Sequence, residues 1–242
     1  GDPTASPGDS LTLTGAQLGG GNFATAAFNY TDATSGTIDV AGNSRITYGG
    51  LEPITSLISV TDITLNFSGS SDDITLDDSG TAGQTTVSST FAETTTFVNP
   101  VGSLQVNAGG GSDTIDVAGL GSGFDADLDI NGDADTNSLT ISGAIDITSG
   151  NFTAGTAADI NSISFDNTSG GSFTTTGNIT LQSVTTISSN DTGNDVTATL
   201  LTATAGTGID LDTTLGTLDA SVTGTGAIVI DESAAIVLLE LD

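Results

Sequence analysis

The sequence has no cysteine, histidine, methionine or tryptophan, and its one cationic residue, Arg45, stands against 30 acidic ones. Without cysteine there can be no disulfide, thiolate nucleophile or thiolate metal site. Without histidine, the commonest general base and the commonest transition-metal ligand are missing. The net charge of −29 leaves nothing to neutralise phosphates, which excludes nucleic-acid binding and disfavours anionic membrane surfaces. No apolar run approaches the roughly 20 residues that a bilayer-spanning helix needs, so membrane insertion is not expected. Aromatic residues make up only 5% of the chain.

What fills the 242 residues is glycine (33 of them), threonine, serine, aspartate and asparagine, with 36% hydrophobic residues. A composition this polar and charged often means disorder, but here the apolar residues are ordered along the chain. Leu11-Thr12-Leu13, Ile63-Thr64-Leu65 and Ile145-Asp146-Ile147 alternate apolar with polar, the period of two that a half-buried strand requires. Threonine and valine favour strands, and Gly, Asn and Asp mark the turns between them. The fold class expected is all-β.

An internal repeat sharpens this expectation. Leu65-Asn66-Phe67 leads through a polar turn to Asp72-Asp73-Ile74-Thr75-Leu76; Val106-Asn107-Ala108 leads to Asp113-Thr114-Ile115-Asp116-Val117; Ile130-Asn131-Gly132 leads to Asn137-Ser138-Leu139-Thr140-Ile141. Each unit is an apolar residue, an asparagine, a six-residue step to Asp or Asn, then apolar residues two and four places on. Unequal offsets between the units imply insertions of different length. Downstream, strand candidates recur every 16 to 18 residues at Ile145, Ile163, Ile179 and Val196, then more tightly through Leu211, Leu218 and Ile228. Stacked coils of a β-solenoid (β-helix) fit this spacing. The division expected is an extended leader over 1–9, an N-terminal β portion over 10–99 that is either sandwich-like or an irregular solenoid, and a solenoid over 100–242 with an apolar C-terminal strand. A joint is expected near Asn99-Pro100, with one continuous irregular solenoid as the alternative.

Two sets of residues are candidates for a specific role. Asp113, Asp116, Asp133, Asp135 and Asn137 lie in a stretch with oxygen-bearing side chains at alternate positions, and calcium takes six to eight oxygen ligands. The alternative is that Asp, Asn and Gly are there because tight turns need them. The terminal apolar run Ile236, Val237, Leu238, Leu239 and Leu241 either closes the core of its own domain or adds to the sheet of a neighbour.

Gly109, Gly111, Asp113 and Ile115 resemble the calcium-binding nonapeptide of RTX repeats, with Ala108 where the first glycine would stand; the resemblance implies calcium as a cofactor. Residues 46–54, 63–78, 104–117 and 127–141 resemble the repeats of giant bacterial β-strand-repeat surface proteins, adhesin-like chains similar in style to filamentous haemagglutinins. That resemblance implies an extracellular or cell-surface location, a repetitive β fold, and a structural part in a filament or surface layer. The partners would be further copies or neighbouring repeats of the same chain. It carries no catalytic residues, and the chain is not expected to be an enzyme. The rival readings are an adhesin stalk or module that recognises glycans or cell surfaces through exposed aromatics, and a polysaccharide-degrading β-helix with a carboxylate-lined groove around Arg45.

Overall fold

The computed structural model describes residues 9–18, 20–133, 135–155, 159–166, 170–190 and 193–241. The expected leader over 1–9 lies outside them except for Asp9, which opens the first strand, Asp9–Leu13. Among the described residues there is no helix, and 23 strands join in one mixed sheet that does not close into a barrel.

Most pairings are parallel and fall into three ladders. The longest joins Phe23–Asp32, Val60–Asn66, Ser103–Asn107, Asp127–Asn131, Phe152–Ala154, Asn178–Gln182, residues 200–204, residues 217–222 and Val237–Leu241. A second joins Asp73–Asp78, Thr114–Val117, Ser138–Ile141, Ser162–Phe165, Thr186–Ser189, residues 208–212 and Ile228–Glu232. The third has two stretches. Asp9–Leu13, Leu51–Ser56 and Ala92–Val98 form one; Ala144–Ile147, Ser172–Thr175, residues 196–198 and residues 213–215 form the other. Residues 121–126 lie between the two: Asn99 Nδ2 donates to the Gly121 carbonyl, and Asp125 accepts from the Ser149 N–H.

Register keeps like residues over like. In the longest ladder Ala26, Ile63, Leu104, Leu128, Phe152, Ile179, Leu201 and Leu218 are stacked and buried. In the second, Ile74, Ile115, Leu139, Ile163, Ile187 and Ile209 do the same. The alternation seen in sequence thus becomes one continuous interior, and each fully buried Leu or Ile contributes about 1.5–3 kcal/mol of transfer free energy. The Phe152 and Phe173 rings cross that interior stacked at 4.3 Å.

The structure explains the unequal spacing of the repeat. Hydrogen-bonded positions along the longest ladder are 37, 41 and 24 residues apart near its start and 17 apart near its end. The long offsets contain antiparallel hairpins: Ser35–Val40 folds back on Phe23–Asp32 and Ile46–Gly49 on Ser35–Val40, and Gln84–Ser89 runs between Asp73–Asp78 and Ala92–Val98. The recurrence of Ile145, Ile163, Ile179 and Val196 is not the pairing period. These residues sit on successive ladders, and Ile145 pairs with Phe173, Ile163 with Leu139 and Ile187. At the expected joint, pairings of Val60–Asn66 with Ser103–Asn107 and of Asp73–Asp78 with Thr114–Val117 pass straight across Asn99-Pro100. Residues 10–99 and the rest share one sheet.

Candidate functional sites: a corner of stacked carboxamides and carboxylates, and an open sheet end

Two polar columns flank the corner that the repeat motif forms. The first is an asparagine ladder. Asn66 Nδ2 donates to Asn29 Oδ1 at 2.8 Å, Asn107 Nδ2 to Asn66 Oδ1 at 2.7 Å, and Asn131 Nδ2 to Asn107 Oδ1 at 3.1 Å. An amide is both donor and acceptor, so an in-register stack satisfies each residue with its neighbours.

The second column lies six residues on. The Asp72 N–H donates to Asp113 Oδ1 at 2.7 Å, the Asp113 N–H to Asn137 Oδ1 at 2.9 Å, and the Asn137 N–H to Asn161 Oδ1 at 3.0 Å. Each side chain therefore holds the corner of the preceding rung. Asn137 Nδ2 also donates to the carbonyls of Gly132 at 2.7 Å and Asp159 at 2.9 Å. Asp72 and Asp113 are 1% and 2% exposed, and Oδ2 of each is buried without a hydrogen-bond partner. Burial pushes the Asp113 carboxyl up to about 6, and the negative charges of Asp72, Asp135 and Asp133 add to the rise.

Of the five residues expected to hold calcium, the structure gathers four about this corner. Asp133 and Asp135 take left-handed backbone conformations in the adjoining turn, with φ of 60° and 80°, and Asp135 Oδ2 accepts the Gly111 N–H at 3.1 Å. Asn137 lies beneath Asp113 with its amide committed to backbone. Asp116 is separate: it sits on the strand Thr114–Val117 and accepts Ser142 Oγ at 2.6 Å. Among the described residues no group of three or more acidic side chains is arranged to hold a metal ion. Gly109 and Gly111 are required sterically. Both have positive φ, and a Cβ would strike the Ser68 carbonyl oxygen at Gly109 and come within 2.7 Å of the Ser70 carbonyl carbon at Gly111.

Among the described residues the C-terminal apolar run pairs on one side only. Val237–Leu241 adds in parallel to residues 217–220, and Val237, Leu238, Leu239 and Leu241 are 55–63% exposed. Of these, Leu238 and Leu241 line an apolar mouth together with Ile236, Leu218, Ile228, Ile230 and Glu232. Arg45 donates to both carboxylate oxygens of Asp39, at 2.7 and 2.9 Å, on the exposed hairpin.

Sequence reasoning missed Asn29 and Asn161. Asn161 carries the motif's second half intact, with Ile163 and Phe165 two and four places on. It was readable by that pattern. Asn29 had only Phe28 before it as a signal.

No protein family, no curated protein and no solved structure matches the chain.

Proposed function

We propose that the chain is a β-solenoid segment of an extracellular filament or surface layer, and that its function is its own extended, stackable shape. The observation that carries this reading is the longest ladder: nine parallel strands, eight of them stacked without a register shift and the ninth, Val237–Leu241, joined with one, their inward side chains covered by the next rung. In a solenoid each coil contacts only its neighbours. A chain with a net charge of −29 repels itself unless salt or divalent cations screen it, so calcium acts in this reading as a counter-ion of the assembly. The aromatic side chains favour the structural role over glycan recognition, because Phe91 is the one strongly exposed aromatic among the described residues. The enzyme reading gains no support from Arg45, which is tied to Asp39 on a hairpin surface.

Electron microscopy of the purified chain with and without a calcium chelator tests the proposal. Filaments are expected, weakened by chelation at low salt. Monodisperse monomers in every condition would overturn it, and filaments indifferent to chelation would remove the calcium part alone.

A further inference from the structure

The third ladder is interrupted in the middle of the chain, and the interruption leaves a strand edge open. Ala144–Ile147 pairs with Ser172–Thr175 on one side and, among the described residues, with no strand on the other. In the rung before it, residues 121–126 stand where a strand would be and follow the inserted hairpin instead. The Gly121 N–H donates to Thr85 Oγ1 at 2.9 Å, and Asn99 Nδ2 to the Gly121 carbonyl at 3.0 Å. Along a parallel strand, successive residues turn their N–H and C=O groups to opposite neighbours. The Ser172 N–H donates to the Gly143 carbonyl at 3.1 Å, and Ala144 is in register with Ser172. Ile145 and Ile147 therefore bond to the paired side, while the backbone groups of Ala144 and Asp146 face the open one.

A cleft of about 280 Å³ lies along this open edge, between residues 120–124 and 144–148. Its inner side is apolar: Phe124 and Ile145 are each buried in the core, and Leu120 packs partly against it. Its rim is acidic. Asp146 is exposed on the edge strand itself. The Asp77 carboxylate lies beside Leu120, since a Cβ on Gly119 would come within 2.7 Å of Asp77 Oδ1. At the far end Asp125 accepts the Ser149 N–H at 2.6 Å. The one cation of the sequence, Arg45, is paired with Asp39 on the N-terminal hairpin.

We propose that the open edge of Ala144–Ile147 takes a short, extended, basic segment of a partner polypeptide, added as a strand beside residues 120–124. In strand addition the main-chain bonds supply affinity and the pockets for alternate side chains supply specificity. Here the backbone of Asp146 offers the bonds, and the apolar side of the cleft receives one apolar side chain. Side chains alternate along a strand, so the residues flanking that one point outward, level with Asp146 and Asp77. Charge complementarity makes them Lys or Arg. A second copy of this chain does not fit the description, because its 242 residues hold a single cation. Exposed ion pairs are weak, so the acidic rim selects the segment and speeds its arrival while the backbone bonds and the apolar contact hold it. The site lies on the side of one chain and is independent of the filament reading.

The test uses the full chain and a short labelled peptide of alternating Lys and Val, with its Glu and Val counterpart as the control. Fluorescence anisotropy at about 0.5 M salt follows binding where the diffuse attraction of so acidic a chain is screened. The lysine peptide is expected to bind one per chain, the glutamate peptide not at all. Asp146→Pro removes the outward-facing donor and leaves the bonds to Ser172–Thr175 in place; it is expected to weaken binding about tenfold or more, with an unchanged circular dichroism spectrum. Asp146→Asn keeps the donor and is expected to weaken it by less than about fivefold, the worth of an exposed ion pair. Amide exchange at Asp146 in the parent should slow when the lysine peptide is added, a readout that stands even if the proline variant misfolds. Equal binding by the parent and a folded Asp146→Pro, or exchange at Asp146 unaltered by bound peptide, would overturn the proposal. So would the absence of binding, which would leave Asp146 as a charge that keeps strands off the edge. None of these failures touches the filament reading.

Discussion

Asp113 shows what a single side chain contributes at a corner of the stack. Its Oδ1 is engaged by the Asp72 N–H, its Oδ2 is buried and unpartnered, and it faces the charges of Asp72, Asp133 and Asp135. A carboxyl raised to about 6 in the folded chain compares with about 4 in the unfolded one. Below pH ~4 it is protonated in both states and stability is unaffected. Between the two values the unfolded chain releases a proton that the folded chain keeps, so stability falls as pH rises. Above ~6 the whole penalty is present, on the order of 2–3 kcal/mol. Asn137 and Asn161 show that asparagine fits the same role. Urea titrations of Asp113→Asn should therefore show a higher midpoint than the parent at pH 8 and the same midpoint near pH 4. Equal midpoints at pH 8 would refute this account.

At the scale of a strand, position in the ladder decides how much a side chain matters. Leu128 lies between Leu104 and Phe152 and is fully buried; Leu238 has the same inward register but, among the described residues, a partner on one side only, and is 56% exposed. Leu128→Ala is expected to destabilise the chain by about 2–5 kcal/mol through lost transfer energy and a cavity. Leu238→Ala should change it by less than about 1 kcal/mol in the monomer. Chemical denaturation of the two variants checks the contrast, and equal losses would mean that the terminal strand is covered in solution. Strand existence, inward faces and the Asn/Asp repeat were legible in the sequence because a period of two and a recurring six-residue step are local patterns. Which strands pair was not. Ile145 and Ile163 look like successive repeats in sequence, yet they belong to different ladders, since between residues 127 and 189 each strand pairs with the third one along and nothing local marks which ladder a strand will join. The antiparallel insertion at Gln84–Ser89 likewise reads as one more alternating strand. The candidate calcium residues were legible as a turn, and Asp116 was misplaced with them because its neighbours in sequence point to the other face of the sheet.

For the molecule as a whole, 30 carboxylates against one guanidinium set the conditions under which so regular a sheet persists. The columns put acid over acid, as with Asp212 and Asp231 or Asp219 and Glu240, at a strand spacing of about 4.8 Å. That is well inside the Debye length of about 10 Å at 0.1 M salt and close to the ~3 Å reached at 1 M. The melting temperature should rise steadily between about 10 mM and 1 M sodium chloride, where screening of exposed like charges outweighs loss of the single Arg45–Asp39 pair. Calorimetry at the two extremes measures this; a flat or falling midpoint would show that the acidic columns are neutralised by something other than mobile ions.

The shortening of the circuit, from 41 residues between hydrogen-bonded positions near the start to 17 near the end, has a mechanical consequence. Tension applied along the stacking direction opens strand pairs one after another instead of shearing them together, and each rung opened near the end frees fewer residues than one opened near the start. Under load the protein would lengthen by paying out thread in steps, long ones from the hairpin-bearing start of the stack and short ones from its later rungs. Slack returned to it would rewind onto the template still standing below.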